Sequence, residues 1–335
     1  MKISLWARVA IAVALLSAAA PAGAQEKIPV ILAVPAFSLS FTLGYLAEDL
    51  GLFAKEGLAV KQVDMQGLAA INALIAGSSD FSEASGASLT RAAARGQRLL
   101  AIAQLSNRAF VQIVLRKSVA DEAGFDPAAP LAKRALVLKG RTIGVDSINS
   151  VVHAYVRLVA HAGGYDPESI ATGVMAPPSM IAAFETKQID GFAMTPPWPE
   201  KPLLDGTAVL VASGPDGDPA DLVPFANSVL LTRPEVCEKR KAVCEKMGHA
   251  YAAAAIVVRD HPDAALAALE KRFANLDAKT MEASFAIVRK ITPVPPAPTL
   301  DAIRNNEIYN VDAGLLKPEE QLKSFDGLFT DQYVR

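Results

Sequence analysis

Two stretches of this chain follow one local plan, and that repetition limits the fold more than any other feature. Ala69–Phe81 reads as a helix, a tight turn and a strand opening on Asp80-Phe81. Met180–Phe192 runs in the same order to Asp190-Gly191-Phe192, 110 positions later. One unit used twice predicts two similar α/β lobes facing each other across a cleft. Such a cleft can capture a molecule by closing on it and needs no chemistry of its own.

The rest of the chain fits around that unit. Ile28–Val34 is a short apolar run rich in β-branched residues and reads as a buried first strand. Leu43, Leu46, Ala47 and Leu50 recur at helical spacing before Gly51. Val60–Met65 reads as a strand, Leu68–Ala76 as a helix, Asp80–Glu83 as a strand, Leu89–Arg95 as a helix and Leu99–Leu105 as a strand. Alternation of this kind predicts a mostly parallel sheet covered on both faces. Phe110–Leu115 reads as a strand crossing toward the second lobe, and residues 117–139 read as irregular, broken by Asp126-Pro127 and Ala129-Pro130. The second lobe starts at Lys139–Val145, continues through a helix from about Ser150 to Ala162 and the repeated unit, and ends with a strand over Ala208–Ala212. The Ala-rich Met247–Val258 stretch and the segment from Thr299 onward read as helices buttressing the first lobe. The expected division is a leader over residues 1–24, lobe 1 over 25–116 and 229–335, and lobe 2 over 117–228. Hinges are expected near Arg116-Lys117 and near Phe225–Ser228.

Lys2 and Arg8, the apolar run Val9–Leu16 and the small residues Ala22-Gly23-Ala24 form a secretory signal pattern with cleavage after Ala24. The run is short for a membrane span, which needs about 20 residues. The mature chain is therefore expected outside the cytoplasm, most simply in a bacterial periplasm. Removing Lys2 and Arg8 takes the formal charge from −2 to −4, an acidic balance with no footprint for nucleic acid. Cys237 and Cys244 are seven residues apart. On an unbroken helix their Cα atoms would stand about 10.5 Å apart, beyond the roughly 7 Å a disulfide allows. Either they stay reduced, or the helix breaks at the polar run Glu238–Lys241 and they staple a corner; an oxidising compartment favours the staple.

Candidate ligand contacts follow from where strands end. In Asp146-Ser147-Ile148-Asn149-Ser150-Val151 a strand hands over to a helix, whose free N–H groups and positive dipole end suit an anion. Ser147, Asn149 and Ser150 can donate as well, although the same residue types cap helices without any ligand. On the opposite lobe, Phe37, Ser38, Ser40 and Phe41 follow the first strand, Gln66 the second, Ser85 and Gly86 the third, and Ser106, Asn107 and Arg108 the fourth. These loops leave one sheet edge and so are expected to converge. Either Phe37 or Phe41 is expected to stack on a planar ligand, the other belonging to the core. Thr195, Pro196 and Trp198 follow the second copy of the unit, and Phe225 and Asn227 sit at the return crossing. Trp198 lines the cleft or packs between the lobes.

Motifs of catalysis are missing. His153, His161, His249 and His261 are dispersed, and no G-x-S-x-G elbow, P-loop or zinc spacing occurs. No cofactor or metal is expected. Tyr45-Leu46-Ala47 with Gly51-Leu52-Phe53-Ala54-Lys55-Glu56-Gly57-Leu58, then Ala76–Phe81, Leu138–Val145 and Gly164-Tyr165-Asp166-Pro167 recur in this order in one family. On them the chain resembles the substrate-binding proteins of nitrate/sulfonate/taurine ABC importers over nearly all its mature length. The resemblance implies a type II periplasmic-binding-protein architecture, α/β, with two Rossmann-like lobes joined by a hinge. It also implies a non-enzymatic monomer that carries a small molecule to ABC permease subunits in the membrane. The loops Asp146–Ser150 and Thr195–Trp198 depart from the family's usual Gly-Ser-Thr and Trp-Glu-Pro types, so the ligand is left open between sulfonate, aromatic acid, pyrimidine or flavin precursor, and nitrate. Aromatic residues and few basic ones near the cleft favour a planar or weakly anionic organic molecule. The rival readings are an enzyme resembling pyrimidine-precursor synthases on this fold, whose histidine-bearing, cysteine-rich site is not found here, and an extracytoplasmic sensor.

Overall fold

The repeated unit occupies the same place twice in the computed structural model, which describes residues 26–335. The leader expected over residues 1–24 lies outside the described residues. Among the described residues, ten strands form two five-stranded sheets. The first holds β1 (Ile28–Val34), β2 (Leu58–Asp64), β3 (Phe81–Ala84), β4 (Leu100–Gln104) and β10 (Val229–Thr232), in the order β2-β1-β3-β10-β4. The second holds β5 (Gln112–Arg116), β6 (Thr142–Val145), β7 (Ala171–Val174), β8 (Gly191–Met194) and β9 (Ala208–Ser213), in the order β7-β6-β8-β5-β9. The strand of each repeat, β3 or β8, is the middle strand of its sheet.

The two aspartates of the repeat show why the motif recurs. Asp80 N–H donates to Ile31 O at 3.0 Å, and its carboxylate accepts from Ile31 N at 2.9 Å. Asp190 N–H donates to Thr142 O at 2.9 Å, and its carboxylate accepts from Thr142 N at 2.8 Å. Each aspartate thus clamps the start of the middle strand to its parallel neighbour and sets the register, since a one-residue slip would turn every buried side chain outward. Replacing Asp190 by alanine should lower stability by about 1–3 kcal/mol, because it leaves a backbone N–H without its charged acceptor. Asparagine, which keeps an oxygen acceptor, should lose less; equal urea midpoints for all three proteins would rule the clamp out.

Helices cover both faces of both sheets. Around the first are α1 (Thr42–Asp49), α2 (Leu52–Lys55), α3 (Leu68–Ala76) and α4 (Gly86–Ala94). The second carries α5 (Lys117–Glu122), α6 (Leu131–Arg134), α7 (Val151–Ala162), α8 (Pro177–Glu185) and α9 (Glu200–Leu204). Then follow α10 (Pro234–Lys239), α11 (Lys241–Asp260), α12 (Pro262–Arg272), α13 (Ala278–Ile291) and α14 (Leu300–Asp312). Residues 117–139, read from the sequence as irregular, contain α5, α6 and a 3-10 turn over Ala135–Leu138. The short edge strand β7, exposed at three of its four residues, was not legible either.

One boundary needs correcting. Gln112–Arg116, placed by the sequence reading at the end of lobe 1, pairs with β8 and β9 in the second sheet. The first crossing therefore lies between β4 and β5, ahead of Arg116-Lys117, and the return runs between β9 and β10. Geometry explains both. Parallel strands all end at the edge facing the other lobe, so a crossing chain enters the new sheet from that edge and must run backward. Accordingly β5 is antiparallel to β8 and β9, and β10 to β3 and β4.

Cys237 and Cys244 are joined, with Cα atoms 5.5 Å apart. The helix does break: Arg240, at φ −131° and ψ 50°, separates α10 from α11 and halves the distance that a continuous helix would impose. The Arg240 guanidinium reaches Asp80 at 2.6 Å, so the corner also anchors the first repeat. Among the described residues no helix is long and apolar enough to cross a membrane.

Candidate functional site

At the carboxyl edge of the first sheet, β3 runs into α4. Ser85 caps the helix: its backbone is extended and its Oγ accepts from Ser88 N at 3.1 Å, satisfying a first-turn donor. Gly86 follows because nothing larger fits. Its N–H donates to Ala226 O at 3.1 Å, and a Cβ there would lie 2.3 Å from that oxygen and 2.7 Å from Asn306 Nδ2. About a turn and a half in, Arg91 leans back toward the helix start, as long helical side chains do, and donates to Ser88 Oγ at 3.2 Å. Burial lowers its pKa, with Arg95 adding to the effect and Tyr309 opposing it. No carboxylate forms an ion pair with Arg91 among the described residues.

At the equivalent edge of the second sheet, β6 runs into α7. Ser150 is the cap, accepting from His153 N at 3.1 Å. Asn149 takes φ 62°, a left-handed conformation that asparagine tolerates, and its N–H donates to His153 Nδ1 at 3.1 Å. That nitrogen is an acceptor here, in keeping with a His153 pKa lowered by burial and by Arg157, against Glu168 and Asp146. The Asp146 carboxylate accepts from Ser147 N at 2.8 Å and from Ser150 Oγ at 2.5 Å. This end of the site therefore holds an anion of its own, which the junction reading had not foreseen.

The two helix ends are linked through α14. The segment from Thr299 onward, expected to buttress lobe 1, packs on that lobe and on lobe 2 as well. Ala302 and Ile303 lie in a lobe 1 cluster; Tyr309 and Ala313 lie in the lobe 2 cluster, together with Ala87 of α4. Asn310 Nδ2 donates to Ala87 O at 2.9 Å and Thr90 Oγ1 at 2.8 Å, and Asn306 Nδ2 donates to Ala226 O at 3.2 Å. The Tyr309 hydroxyl donates to Val151 O, and its ring lies 5.1 Å from that of Phe225. Arg91, Tyr309 and Asp146 are close enough that Tyr309 shares charge interactions with both. Burial is the main reason the Tyr309 phenol is held well above its ordinary pKa, so it stays a donor. Asn306, Tyr309 and Asn310, at helical spacing in one segment, were the available signal for this seam.

Helix α14 thus links the start of α4, which follows Ser85 and Gly86, with the start of α7 at Ser150 and Val151, while Tyr309 packs beside Phe225. Ser147 and Asn149 lie on the exposed rim of the same end. Of the alternatives offered for the aromatic pair, Phe41 is the core residue, and Phe37, 59 % exposed, stacks on Phe273 at 4.3 Å. Ser38 and Ser40 bond each other at 3.1 Å, and Ser40 and Ser106 share a crevice with α13. Asn107 O accepts from Phe225 N at 2.9 Å, and Asn227 Oδ1 accepts from Phe110 N at 3.0 Å; both brace the crossings. Arg108 lies beside the Asp216-Gly217 turn. Pro196 is buried, Thr195 O accepts from Trp198 N at 3.3 Å, and Trp198 packs on the lobe 2 cluster. Gln66 sits exposed at the turn after β2, outside this group, with its carbonyl accepting from Ala69 N at 3.2 Å. Two residues after Trp198, Glu200 is buried with neither carboxylate oxygen bonded, and burial pushes its pKa up to about 7.

Residues 38–265 match the family described as NMT1/THI5 like. Among solved structures, one from Bordetella bronchiseptica is similar at a TM-score of 0.72 and 18% identity, covering 92% of this chain and 96% of its own. The alkanesulfonate-binding protein SsuA from Xanthomonas axonopodis, bound to MOPS, is similar at 0.67 and 19%, covering 89% and 96%. The periplasmic nitrate-binding protein NrtA from Synechocystis is similar at 0.61 and 14%, covering 90% and 84%. These likenesses establish the two-lobed fold. No curated protein sequence matches the chain.

Proposed function

Because this chain belongs to the NMT1/THI5-like family, we propose that it is a periplasmic solute-capture protein, delivering a small organic anion to an ABC-type permease without chemical change. The observation that carries the reading is that α14 joins two capped helix starts, at Ser85 and Ser150, at one inter-lobe seam beside Arg91, which has no ion-pair partner among the described residues. Its setting supports it: the solved relatives SsuA and NrtA bind alkanesulfonate and nitrate. In this reading the ligand's acidic group faces Arg91 at the positive end of α4, where dipole and charge act together. A hydrogen-bond donor on the ligand faces Asp146. Entry requires the lobes to part, which means releasing the Tyr309–Val151 bond, and closure rebuilds it over the ligand. A dissociation constant in the micromolar range corresponds to about −8 kcal/mol, within reach of two charge-assisted contacts and closure of the lobes.

A thermal-shift panel of alkanesulfonates, aromatic carboxylates, pyrimidines and nitrate tests this. Ligand at 100 times its dissociation constant should add about 2.7 kcal/mol of stability. An organic anion carrying a donor group should give the largest shift. If every compound leaves the unfolding midpoint unmoved, or one is turned over, the capture reading fails.

A further inference from the structure

The outer end of lobe 2, the edge opposite Thr195, holds a cavity of about 410 Å³ that plays no part in the seam. Small-molecule sites span roughly 300–1,000 Å³, so the volume is sufficient for one. Its floor is apolar, built from Ile181, Phe184 and Pro202. Its rim is basic: Arg116, Lys117, Lys187 and Lys201 outnumber Glu185 and Asp205. Helix ends explain part of this charge. Arg116 donates to Phe184 O at 2.6 Å and to Ile189 O, carbonyls at the end of α8 and in the turn that follows, and its guanidinium lies 4.8 Å over the Phe184 ring. The lysines are not used that way. Lys187 has no ion-pair partner among the described residues, and it sits at φ 63°. Lys117 and Lys201 pair only with Asp121 and Asp205 on their own helices, at 2.7 and 3.0 Å, with all four side chains more than half exposed. Such exposed pairs are worth under about 1 kcal/mol and can be exchanged for a ligand's charge.

We propose that this cavity is a second binding site, for an amphipathic organic anion with a flat apolar body and one carboxylate or sulfonate. The body lies on Ile181, Phe184 and Pro202, and the acidic group meets Lys187 and Lys201 at the rim. A neutral apolar molecule would leave the basic rim unused, and the concave shape suits a small molecule. The site stands on a different edge of the lobe from the seam, so neither depends on the other.

Naphthalene-2-sulfonate serves as the probe, titrated into the full mature chain with backbone amide shifts followed by NMR and affinity measured by calorimetry. Saturable shifts at Lys117, Lys187 and Thr207 are expected. Lys187→Glu with Lys201→Glu, both on the solvent side of the fold, should weaken this phase at least about tenfold by reversing the rim's charge. Arg91→Ala should leave it unaltered, which separates it from the seam. Shifts confined to residues around Ser85 and Ser150, an absence of saturable shifts, or a double variant that binds within twofold of the parent would overturn the proposal.

Discussion

Arg91→Ala should weaken ligand binding about 30- to 150-fold while the protein stays folded. The arginine has one side-chain hydrogen bond, to Ser88, and no ion pair among the described residues, so truncating it removes little from the free protein. In the complex it leaves the ligand's acidic group partly buried and short of a charged donor, a loss of about 2–3 kcal/mol. At about 1.4 kcal/mol per factor of ten, that gives the stated range. Asp146→Asn supplies the contrast. It removes the negative charge facing α7, so affinity should fall for a ligand with a donor at that end and hold or rise for a plain anion. Calorimetry on the two variants decides the matter; an Arg91→Ala protein with parental affinity would remove the anion from this end of the seam.

The second large effect is on stability as a function of pH. Glu83 is wholly buried at the end of β3, beside Gly44 of α1 and Tyr251 of α11, whose hydroxyl donates to Oε1 at 2.9 Å. Its other oxygen has no partner. Burial drives its pKa from 4.5 to about 8, against the opposing pull of Tyr251 and the charge of Arg272. The sign follows from which state holds the proton. Between about pH 4.5 and 8 the folded chain keeps it while the unfolded chain has lost it, so stability falls as pH rises through this window and levels off above it. The full loss is on the order of 3–5 kcal/mol, since each tenfold difference in proton affinity between the two states is worth about 1.4 kcal/mol. Glu200, raised to about 7, adds a decline of the same sign that ends sooner. Glu83→Gln keeps the shape without the proton, so its urea-unfolding free energy should drop far less between pH 5 and pH 8.5 than the parent's. Parallel curves for the two proteins would show that Glu83 does not titrate in this window.

Much of the site was legible because it is built from local rules. A serine before an apolar run caps a helix whatever surrounds it, and Ser85 and Ser150 do so here. The serine at position 38 also caps a short turn, and Asp277 and Thr299 cap α13 and α14. Arg91 was not singled out because nothing in its neighbourhood distinguishes it from a solvated helix arginine. Its meaning comes from Tyr309, more than two hundred residues along the chain. Phe37 and Phe41 are alike in sequence context, and only the packing of α12 against the first loop puts one ring on the surface stack and the other in the core.

The amino-acid sequence by itself determined the alternation of strand and helix, the doubled unit with its two register-setting aspartates, and the breaks that shape the helix ends. Those depend on residue periodicity and on groups within a few positions of one another. Only the tertiary structure decided that Gln112–Arg116 belongs to the second sheet and that α14 spans both lobes. Each of these rests on contacts between segments far apart in the chain, and such contacts are chosen by the packing of whole surfaces rather than by any local pattern.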